Sequence, residues 1–227
     1  LNSVNPIQCD YVDDYGIDAI LWVGEGGTST TIGIGKLLSG DASPSGRLSD
    51  TYFRKHYYNP VYSNFGSYEN SGETVSTANS GKSNRYVVYQ EGIYNGYRYT
   101  ETRYEDTILK RGNAGDFGYS DVVTYPFGYG LSYTNFEYSD FNVKENTEDD
   151  TYDVSLKVTN TGAVKGKNSV DIYLQKPYTD YDIQNHVEKA SVELVGYTKT
   201  KELEPNESET VHVKVDGRLF ASYDSYK

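Results

Sequence analysis

The sequence predicts an α/β region followed by an all-β region: the tail of an α/β sandwich with a partly parallel sheet, and then an immunoglobulin-like β-sandwich. Two observations support this fold class. A short apolar run near the start is followed by a loop and a helical pattern, which is typical of a parallel sheet unit. Beyond Asp140, apolar and polar residues alternate, which is typical of strands with one wet face. The 227 residues suffice for two domains, which we predict at residues 1–135 and 136–227.

The α/β region is predicted to open with the last repeats of a doubly wound sheet. Apolar residues between positions 4 and 15 have helical spacing, although Pro6 restricts where a helix begins. Residues 17–24 form an apolar run bounded by acidic residues and glycines, which predicts a buried parallel strand. A turn rich in N-cap residues follows, and the apolar spacing then predicts a helix over residues 32–38.

Between Gly40 and Tyr138 the pattern breaks into short pieces separated by Gly, Ser and Asn, so we expect long, tyrosine-rich connecting loops. The whole chain contains 25 tyrosines. Tyrosine offers an apolar ring and a hydroxyl, which suits sugar binding, but it is also favoured on half-buried sheet faces. Residues 69–85 are mostly polar, and we expect them to form an exposed excursion.

The second region is predicted to be a β-sandwich that starts near Phe136. Its alternating apolar positions are Val154, Leu156 and Val158, then Val170, Ile172 and Leu174, and later Val211, Val213 and Val215. Turn residues separate these runs at the intervals expected of an antiparallel sandwich. The acidic residues between 145 and 150 lack the alternation of a calcium-binding loop, so we interpret them as a solvated hairpin turn. We expect fewer strands than the roughly seven of an immunoglobulin-like domain.

The composition excludes two classes of partner. Lysine and arginine number 21 against 33 aspartates and glutamates, and the formal net charge of −12 repels nucleic acid and anionic lipid surfaces. The longest apolar run is far shorter than the roughly 20 residues of a transmembrane helix, so we expect a soluble protein without membrane contact. Cys9 is the only cysteine and forms no internal disulfide, which leaves a cytoplasmic and a secreted location both open.

Three motifs resemble the C-terminal half of glycoside hydrolase family 3, the β-glucosidase-like family. They are GDASPSGRL at residues 40–48, YQEGIYNGYRY at 89–99 and YPFGYGLSYT at 125–134, and the stretch VTNTG at 158–162 follows them. Three such motifs in order are highly specific, and the resemblance covers nearly the whole chain. It implies that the predicted sandwich is the fibronectin III-like domain of that family.

The resemblance also implies that the chemistry of hydrolysis lies outside this chain. Cleavage of a glycosidic bond requires two carboxyl groups. In this family the nucleophilic aspartate lies on a separate (β/α) barrel domain and the acid/base glutamate precedes the position of Ile17, so we expect no catalytic residue here. Ser29 stands where the family commonly has a glutamate, and Ser49 stands where it has a proline. These departures indicate a divergent subgroup.

Five residues are candidates for the rim of a substrate site. Glu91 lies close in sequence to Tyr94, Tyr97 and Arg98, and the arginine is expected to perturb the pKa of the carboxyl group. Trp22 lies at the end of the predicted parallel strand, where open α/β sheets bind ligands. The same residues also fit structural roles: Glu91 and Arg98 as an ion pair that holds a loop, and Trp22 as part of the core.

No cofactor and no metal are expected, because the three histidines and Cys9 are isolated from one another and no glycine loop has the partner residues of a phosphate site. The first hypothesis is a non-catalytic, C-terminal-type portion of a hydrolase that cleaves terminal β-glycosidic bonds of oligosaccharides or glycosides. Such a portion would support a missing barrel domain and be inactive alone. The alternative is a carbohydrate-binding or surface-adhesion module without catalysis. A third hypothesis is a structural remnant that responds to no sugar.

Overall fold

The computed structural model describes residues 1–66, 68–69, 75–76 and 82–224. The described helices are α1 (Tyr11–Asp14), α2 (Thr30–Ser39), α3 (Pro60–Asn64), α4 (Gly96–Leu109), α5 (Tyr119–Val122) and α6 (Asp180–Asn185). The described strands are β1 (Tyr52–Phe53), β2 (Tyr68–Glu69), β3 (Val75–Ser76), β4 (Lys82–Ser83), β5 (Arg85–Tyr86), β6 (Val123–Tyr125), β7 (Phe136–Asn146), β8 (Thr151–Asn160), β9 (Ser169–Gln175), β10 (Val192–Lys199) and β11 (Ser208–Asp216). A region of helices and short strands thus precedes a β-sandwich, which confirms the predicted fold class.

The helix predicted at residues 32–38 is confirmed as α2. Gly40 ends it with a φ of 82°, and the Gly40 nitrogen donates to the Leu37 carbonyl, as glycine does at many helix C-termini. No residue of α2 is buried, so its apolar side chains lie on the surface of this chain. Among the described residues, no helix has both the length and the hydropathy that crossing a membrane requires.

The prediction of a helix between residues 4 and 15 is mostly wrong. Only the four residues of α1 are helical there, and residues 1–9 carry no regular secondary structure. Pro6 supplies no backbone N–H. One turn of helix also fixes several backbone angles for a single hydrogen bond, so a short apolar pattern alone does not stabilise it.

The parallel strand predicted at residues 17–24 is also not formed. Two of its backbone groups bond to Leu1: the Leu1 nitrogen donates to the Leu21 carbonyl, and the Val23 nitrogen donates to the Leu1 carbonyl at 2.8 Å. This is the parallel pattern, but a strand needs neighbours along its whole length. The run is exposed or half-buried except at Gly24, and all strand pairs of the described residues are antiparallel.

The longest described helix, α4, lies where the sequence predicts long loops, so that expectation is wrong for residues 96–109. Thr100 is its one buried residue, and tyrosines and threonines take positions that aliphatic residues occupy in an ordinary amphipathic helix. Much of the excursion predicted at residues 69–85 lies outside the described residues. At its two ends, β2 and β5 pair with each other in antiparallel fashion.

The predicted β-sandwich is confirmed. One antiparallel sheet has the order β11–β8–β7, and β9 and β10 form the other. The alternation predicted in β8 is present, since Val154, Leu156 and Val158 are buried while the residues between them are half-buried. β7 begins at Phe136 and carries a bulge, where Asp140 has a φ of 54°.

The core of the sandwich lies between these two sheets. Val158 and Leu203 are 0% exposed, and burying each such side chain contributes about 1.5–3 kcal/mol. Leu203 is held by two backbone hydrogen bonds with Gly166, of 2.8 and 3.1 Å. The predicted acidic hairpin turn lies between β7 and β8, where Asp149 accepts a hydrogen bond from Lys214 Nζ at 2.6 Å.

Candidate functional site

The three sequence motifs meet where the first region packs on the β-sandwich. We call the contact of residues 40–48, 89–99 and 125–134 with the sandwich the joint. The motifs are far apart in sequence, and each of them has hydrogen bonds or ring contacts with the sandwich or with another motif. Each of the three motifs that carry the family resemblance therefore contributes residues to a single contact.

Two loops of the joint bond to each other through their backbones. The Leu48 nitrogen donates to the Tyr129 carbonyl at 2.9 Å, and the Gly128 nitrogen donates to the Leu48 carbonyl at 2.8 Å. A Cβ atom added at Gly130 would lie 2.5 Å from the Gly46 carbonyl oxygen. That approach is too close for any side chain, so the contact requires glycine at position 130.

The loop at residues 40–48 also bonds to the sandwich. The Ser45 carbonyl accepts a hydrogen bond from Ser169 Oγ at 2.9 Å, and Arg47 Nη2 donates to Asn168 Oδ1 at 2.8 Å. Asn168 is buried, and its amide nitrogen donates to the Tyr138 hydroxyl at 2.5 Å. A buried amide is costly unless both of its ends are bonded, so these contacts fix the loop at the start of β9.

An aromatic cluster forms the centre of the joint. The ring centre of Tyr97 lies 4.7 Å from that of Phe127 and 6.0 Å from that of Tyr173. The Tyr97 hydroxyl accepts a hydrogen bond from the Leu194 nitrogen at 2.9 Å, which ties α4 to β10. Burial raises the pKa of the Tyr173 hydroxyl, with Asp171 adding to the effect, so that hydroxyl stays neutral at physiological pH.

Tyr94 and Arg98 hold the same helix end against the sandwich. The Tyr94 hydroxyl accepts a hydrogen bond from the Lys189 nitrogen at 3.3 Å, and burial raises the pKa of Tyr94. Arg98 Nε lies 3.6 Å from the Glu193 carboxylate, which also lies 2.6 Å from Lys176 Nζ. The anionic partner of Arg98 is therefore Glu193.

Glu91 and Trp22 lie apart from this group in their contacts. Asn64 Nδ2 donates to Glu91 Oε2 at 3.0 Å, so Glu91 contacts the end of α3. Trp22 Nε1 donates to the Ser3 carbonyl at 2.8 Å, so the indole packs at the start of the chain. Of the five candidates, the structure brings Tyr94, Tyr97 and Arg98 together at the joint and places the other two elsewhere.

A cleft of 410 Å³ opens beside the joint, within the roughly 300–1,000 Å³ of small-ligand pockets. The rings of Phe53, Tyr97 and Phe127 line it, together with polar residues that include Asp50 and Asn95. Tyr97 is the one rim candidate that lines it. Among the described residues, no group of three or more His, Cys, Asp or Glu side chains could hold a metal ion.

A second hollow, of 490 Å³, is lined by Glu101, Tyr104, Tyr119 and Ser120. The Tyr119 hydroxyl donates to Glu101 Oε1 at 2.5 Å. Burial raises the pKa of the Glu101 carboxyl, and the hydrogen bond from Tyr119 opposes this rise. The hollow offers a single carboxyl group, whereas cleavage of a glycosidic bond uses two.

Sequence reasoning missed several residues of the joint, and their signals differ. Arg47 lies in the first motif and Phe127 in the third. The motifs therefore include both residues but do not indicate which residues they contact. Asn168 directly precedes β9 and Tyr173 lies within it. In such a strand, alternation of polarity predicts which face is buried but not what that face contacts. The cleft itself is formed by separate segments, and no local pattern predicts it.

Comparison with known proteins agrees with this arrangement. Residues 1–97 match the glycosyl hydrolase family 3 C-terminal domain, and residues 169–227 match a fibronectin type III-like domain. A β-glucosidase from Ruminococcus albus is 35% identical over 225 residues, which are 99% of this chain and 19% of that protein. A thermostable β-glucosidase from Acetivibrio thermocellus is 31% identical over 97% of this chain and 24% of its own length.

Solved structures give the same alignment. A β-glucosidase from Paenibacillus barengoltzii superposes with a TM-score of 0.74 at 32% identity, over 98% of this chain and 21% of that one. A Thermotoga neapolitana β-glucosidase in complex with α-D-glucose also gives 0.74, at 31% identity, over 99% of this chain and 26% of that one. This chain therefore spans about a fifth to a quarter of the length of these relatives.

Fold, joint and comparisons together define the class of protein: a glycosyl hydrolase family 3 C-terminal domain fixed to a fibronectin type III-like sandwich. The chain belongs to glycosyl hydrolase family 3, and it is the C-terminal, non-barrel portion of that family.

Proposed function

We propose that this chain supports the catalytic barrel domain of an enzyme that cleaves terminal β-glycosidic bonds of oligosaccharides or glycosides. One observation carries the proposal: proteins named β-glucosidases align with 97–99% of this chain, while the chain spans only 19–24% of them. The catalytic carboxyl groups would then lie in the rest of the enzyme, and this chain would contribute none.

The exposed apolar surface of α2 supports packing against a further domain. Ile32 is 65% exposed and Leu38 is 73% exposed, and burying one such side chain stabilises by about 1.5–3 kcal/mol. Residues 17–24 also have backbone N–H and C=O groups along one side. Among the described residues, Leu1 alone forms hydrogen bonds with them in the parallel pattern. We propose that both features face the barrel-bearing part of the enzyme, and that the two domains of this chain divide at residues 135 and 136.

The contacts of the candidate residues favour a supporting role over a binding module. Tyr94 and Tyr97 use their hydroxyls to accept backbone hydrogen bonds from the sandwich, and Arg98 pairs with Glu193. Side chains engaged in this way hold the joint together. We propose that the hydroxyls of Tyr94 and Tyr97 and the guanidinium group of Arg98 serve to hold the joint.

Turnover of an aryl β-glucoside tests the absence of catalytic residues. The purified 227-residue chain is expected to release no aglycone above the rate of buffer. Measurable turnover that a single substitution within this chain abolishes would contradict the proposal, because the reactive carboxyl would then lie here.

A chimera tests the supporting role directly. In the Ruminococcus albus relative, the matching fifth of the sequence is replaced by this chain, and the chimera is compared with the same protein lacking that fifth. We expect turnover in the chimera and little in the truncated protein. A chimera that folds, as judged by a cooperative thermal transition, but lacks turnover would contradict the proposal.

A further inference from the structure

We infer that the 410 Å³ cleft beside the joint binds a neutral, hydroxyl-rich ring such as a sugar. The cleft is lined by residues from five parts of the chain. These are the start of the chain at Pro6 and Ile7, residues 49–53 around the start of β1, the segment from His56 to Val61, residues 95–97 at the start of α4, and Phe127 of the third motif. The choice of a sugar as the ring rests on the proposed function. The character of the ligand follows from the lining residues.

The aromatic residues supply faces for an apolar ring surface. Phe53 is buried, whereas Tyr97 and Phe127 are half-buried and lie 4.7 Å apart between ring centres. The hydrogen bond from the Leu194 nitrogen to the Tyr97 hydroxyl holds the Tyr97 side chain in position beside the cleft. Aromatic rings of this kind bury the C–H face of a sugar while its hydroxyls stay at the edge.

The polar residues offer hydrogen bonds of both kinds. Asn59 uses its side-chain oxygen to cap α3 through the Val61 nitrogen at 3.1 Å, which leaves its amide nitrogen as a donor. Asn95 precedes α4 without a side-chain capping bond, so its amide offers a donor and an acceptor. Asp50 adds a carboxylate acceptor. A ligand with several hydroxyls matches this mixture, because each hydroxyl both donates and accepts.

Charge excludes the main competing ligands. The described lining residues include one carboxylate, Asp50, and one imidazole, His56, but no lysine or arginine. No permanent positive charge therefore offsets the repulsion between Asp50 and a phosphate or carboxylate ligand. A divalent cation would require several oxygen ligands, and the cleft has one carboxylate. The remaining class is neutral and polar with an apolar face.

Nuclear magnetic resonance of the ¹⁵N-labelled 227-residue chain tests the inference, with D-glucose and cellobiose as probes and inorganic phosphate as the competing ligand. We expect saturable shifts of backbone signals at residues 50–53, 95–97 and 127, with a Kd of about 1–10 mM. Asn95→Ala is expected to weaken binding about fivefold, because one hydrogen bond contributes about 1 kcal/mol. Asn135→Ala, an exposed asparagine away from the cleft, is the matched control and should leave the Kd unchanged.

Asp50→Asn provides a second variant that is also expected to weaken sugar binding, since a charged acceptor is replaced by a neutral one. The inference is overturned if neither sugar gives saturable shifts, if the shifts lie outside the cleft, or if phosphate binds more tightly than glucose. This outcome is independent of turnover: an active chimera whose isolated chain binds no sugar refutes the cleft and leaves the supporting role intact. A chimera that folds but lacks turnover refutes the supporting role, whatever the cleft binds.

Discussion

The β-sandwich and the region before it are stabilised in different ways. Three strands of the sandwich have 9–11 residues each, and buried valines and leucines form two core clusters that both pack against Ile172. In the first region the longest described strand has three residues, and its buried apolar residues are Cys9, Tyr52, Phe53, Ala114 and Val123. The difference shows that the sandwich depends on its own core, whereas the first region depends on the joint for its position.

The largest expected effect comes from the core of the sandwich. Leu203→Ala should lower the free energy of unfolding by about 3–4 kcal/mol, because the side chain is fully buried and its removal leaves a cavity. Urea denaturation followed by circular dichroism measures the change. Leu131→Ala, at a leucine that is 71% exposed, is the control and should change the value by less than about 0.5 kcal/mol. A loss below about 1 kcal/mol at Leu203 would mean that the sandwich core is not the main source of stability.

The next largest effect is expected at the joint. Gly130→Ala should destabilise by about 2 kcal/mol, because the new Cβ atom meets the Gly46 carbonyl oxygen and the two loops must separate. The matched control is Gly35→Ala within α2, where no atom lies within 4 Å of the added Cβ. Alanine is the better helix former, so this control should stabilise by about 0.5–1 kcal/mol. Equal effects of the two substitutions on thermal unfolding would contradict the close contact at the joint.

A smaller effect is expected from a substitution that weakens the contact between the two regions and leaves both cores unchanged. Tyr97→Phe keeps the ring among Phe127 and Tyr173 but removes the acceptor of the Leu194 N–H, at an expected cost of about 1 kcal/mol. Hydrogen exchange of the Leu194 amide should become about fivefold faster. Tyr89→Phe, at a tyrosine that is 78% exposed, serves as control. Unchanged exchange at Leu194 would show that the hydroxyl does not couple α4 to β10.

A further effect is expected in acid and is confined to the sandwich. Burial alone would raise the pKa of Asp182, but hydrogen bonds from Lys189 and Thr179 outweigh it and lower that pKa from 3.8 to about 2. Since the folded state holds the carboxylate ionised, its contribution is complete above pH 3.8 and is lost as the pH falls through 2. The melting temperature should therefore decrease across this window, and less so in Asp182→Asn. If the melting temperature of Asp182→Asn falls with decreasing pH as steeply as that of the unsubstituted chain, the loss of stability in acid comes from other groups.

The sequence predicts the sandwich well because alternation of polarity is a direct consequence of a sheet with one buried face. Val154, Leu156 and Val158 carry that pattern, and the structure buries all three. The helix α4 was missed because Thr100 is its one buried residue, and a threonine gives no apolar signal. The strand at residues 17–24 has the composition of a parallel strand, but such a strand forms only with neighbours along its length.

The candidate site shows the same limit. Motifs in the sequence marked Tyr94, Tyr97 and Arg98, and the structure brings these residues together. The sequence also associated Glu91 with Arg98, but their partners are Asn64 and Glu193. Proximity along the chain predicts contact only within one helix or turn, and Glu91 lies before the start of α4.

The close approach of Gly130 to Gly46 has a practical consequence for transplanting modules between hydrolases. A cut at the start of β7 would remove the sandwich from the loops at residues 40–48 and 125–134 that seat it, and would expose the Arg47-binding face of Asn168. Grafting the sandwich alone onto another hydrolase would therefore expose the surface that these loops cover, and the loops left behind would lose their partner as well. Transferring both loops together with the sandwich keeps the two contacting surfaces of the joint intact.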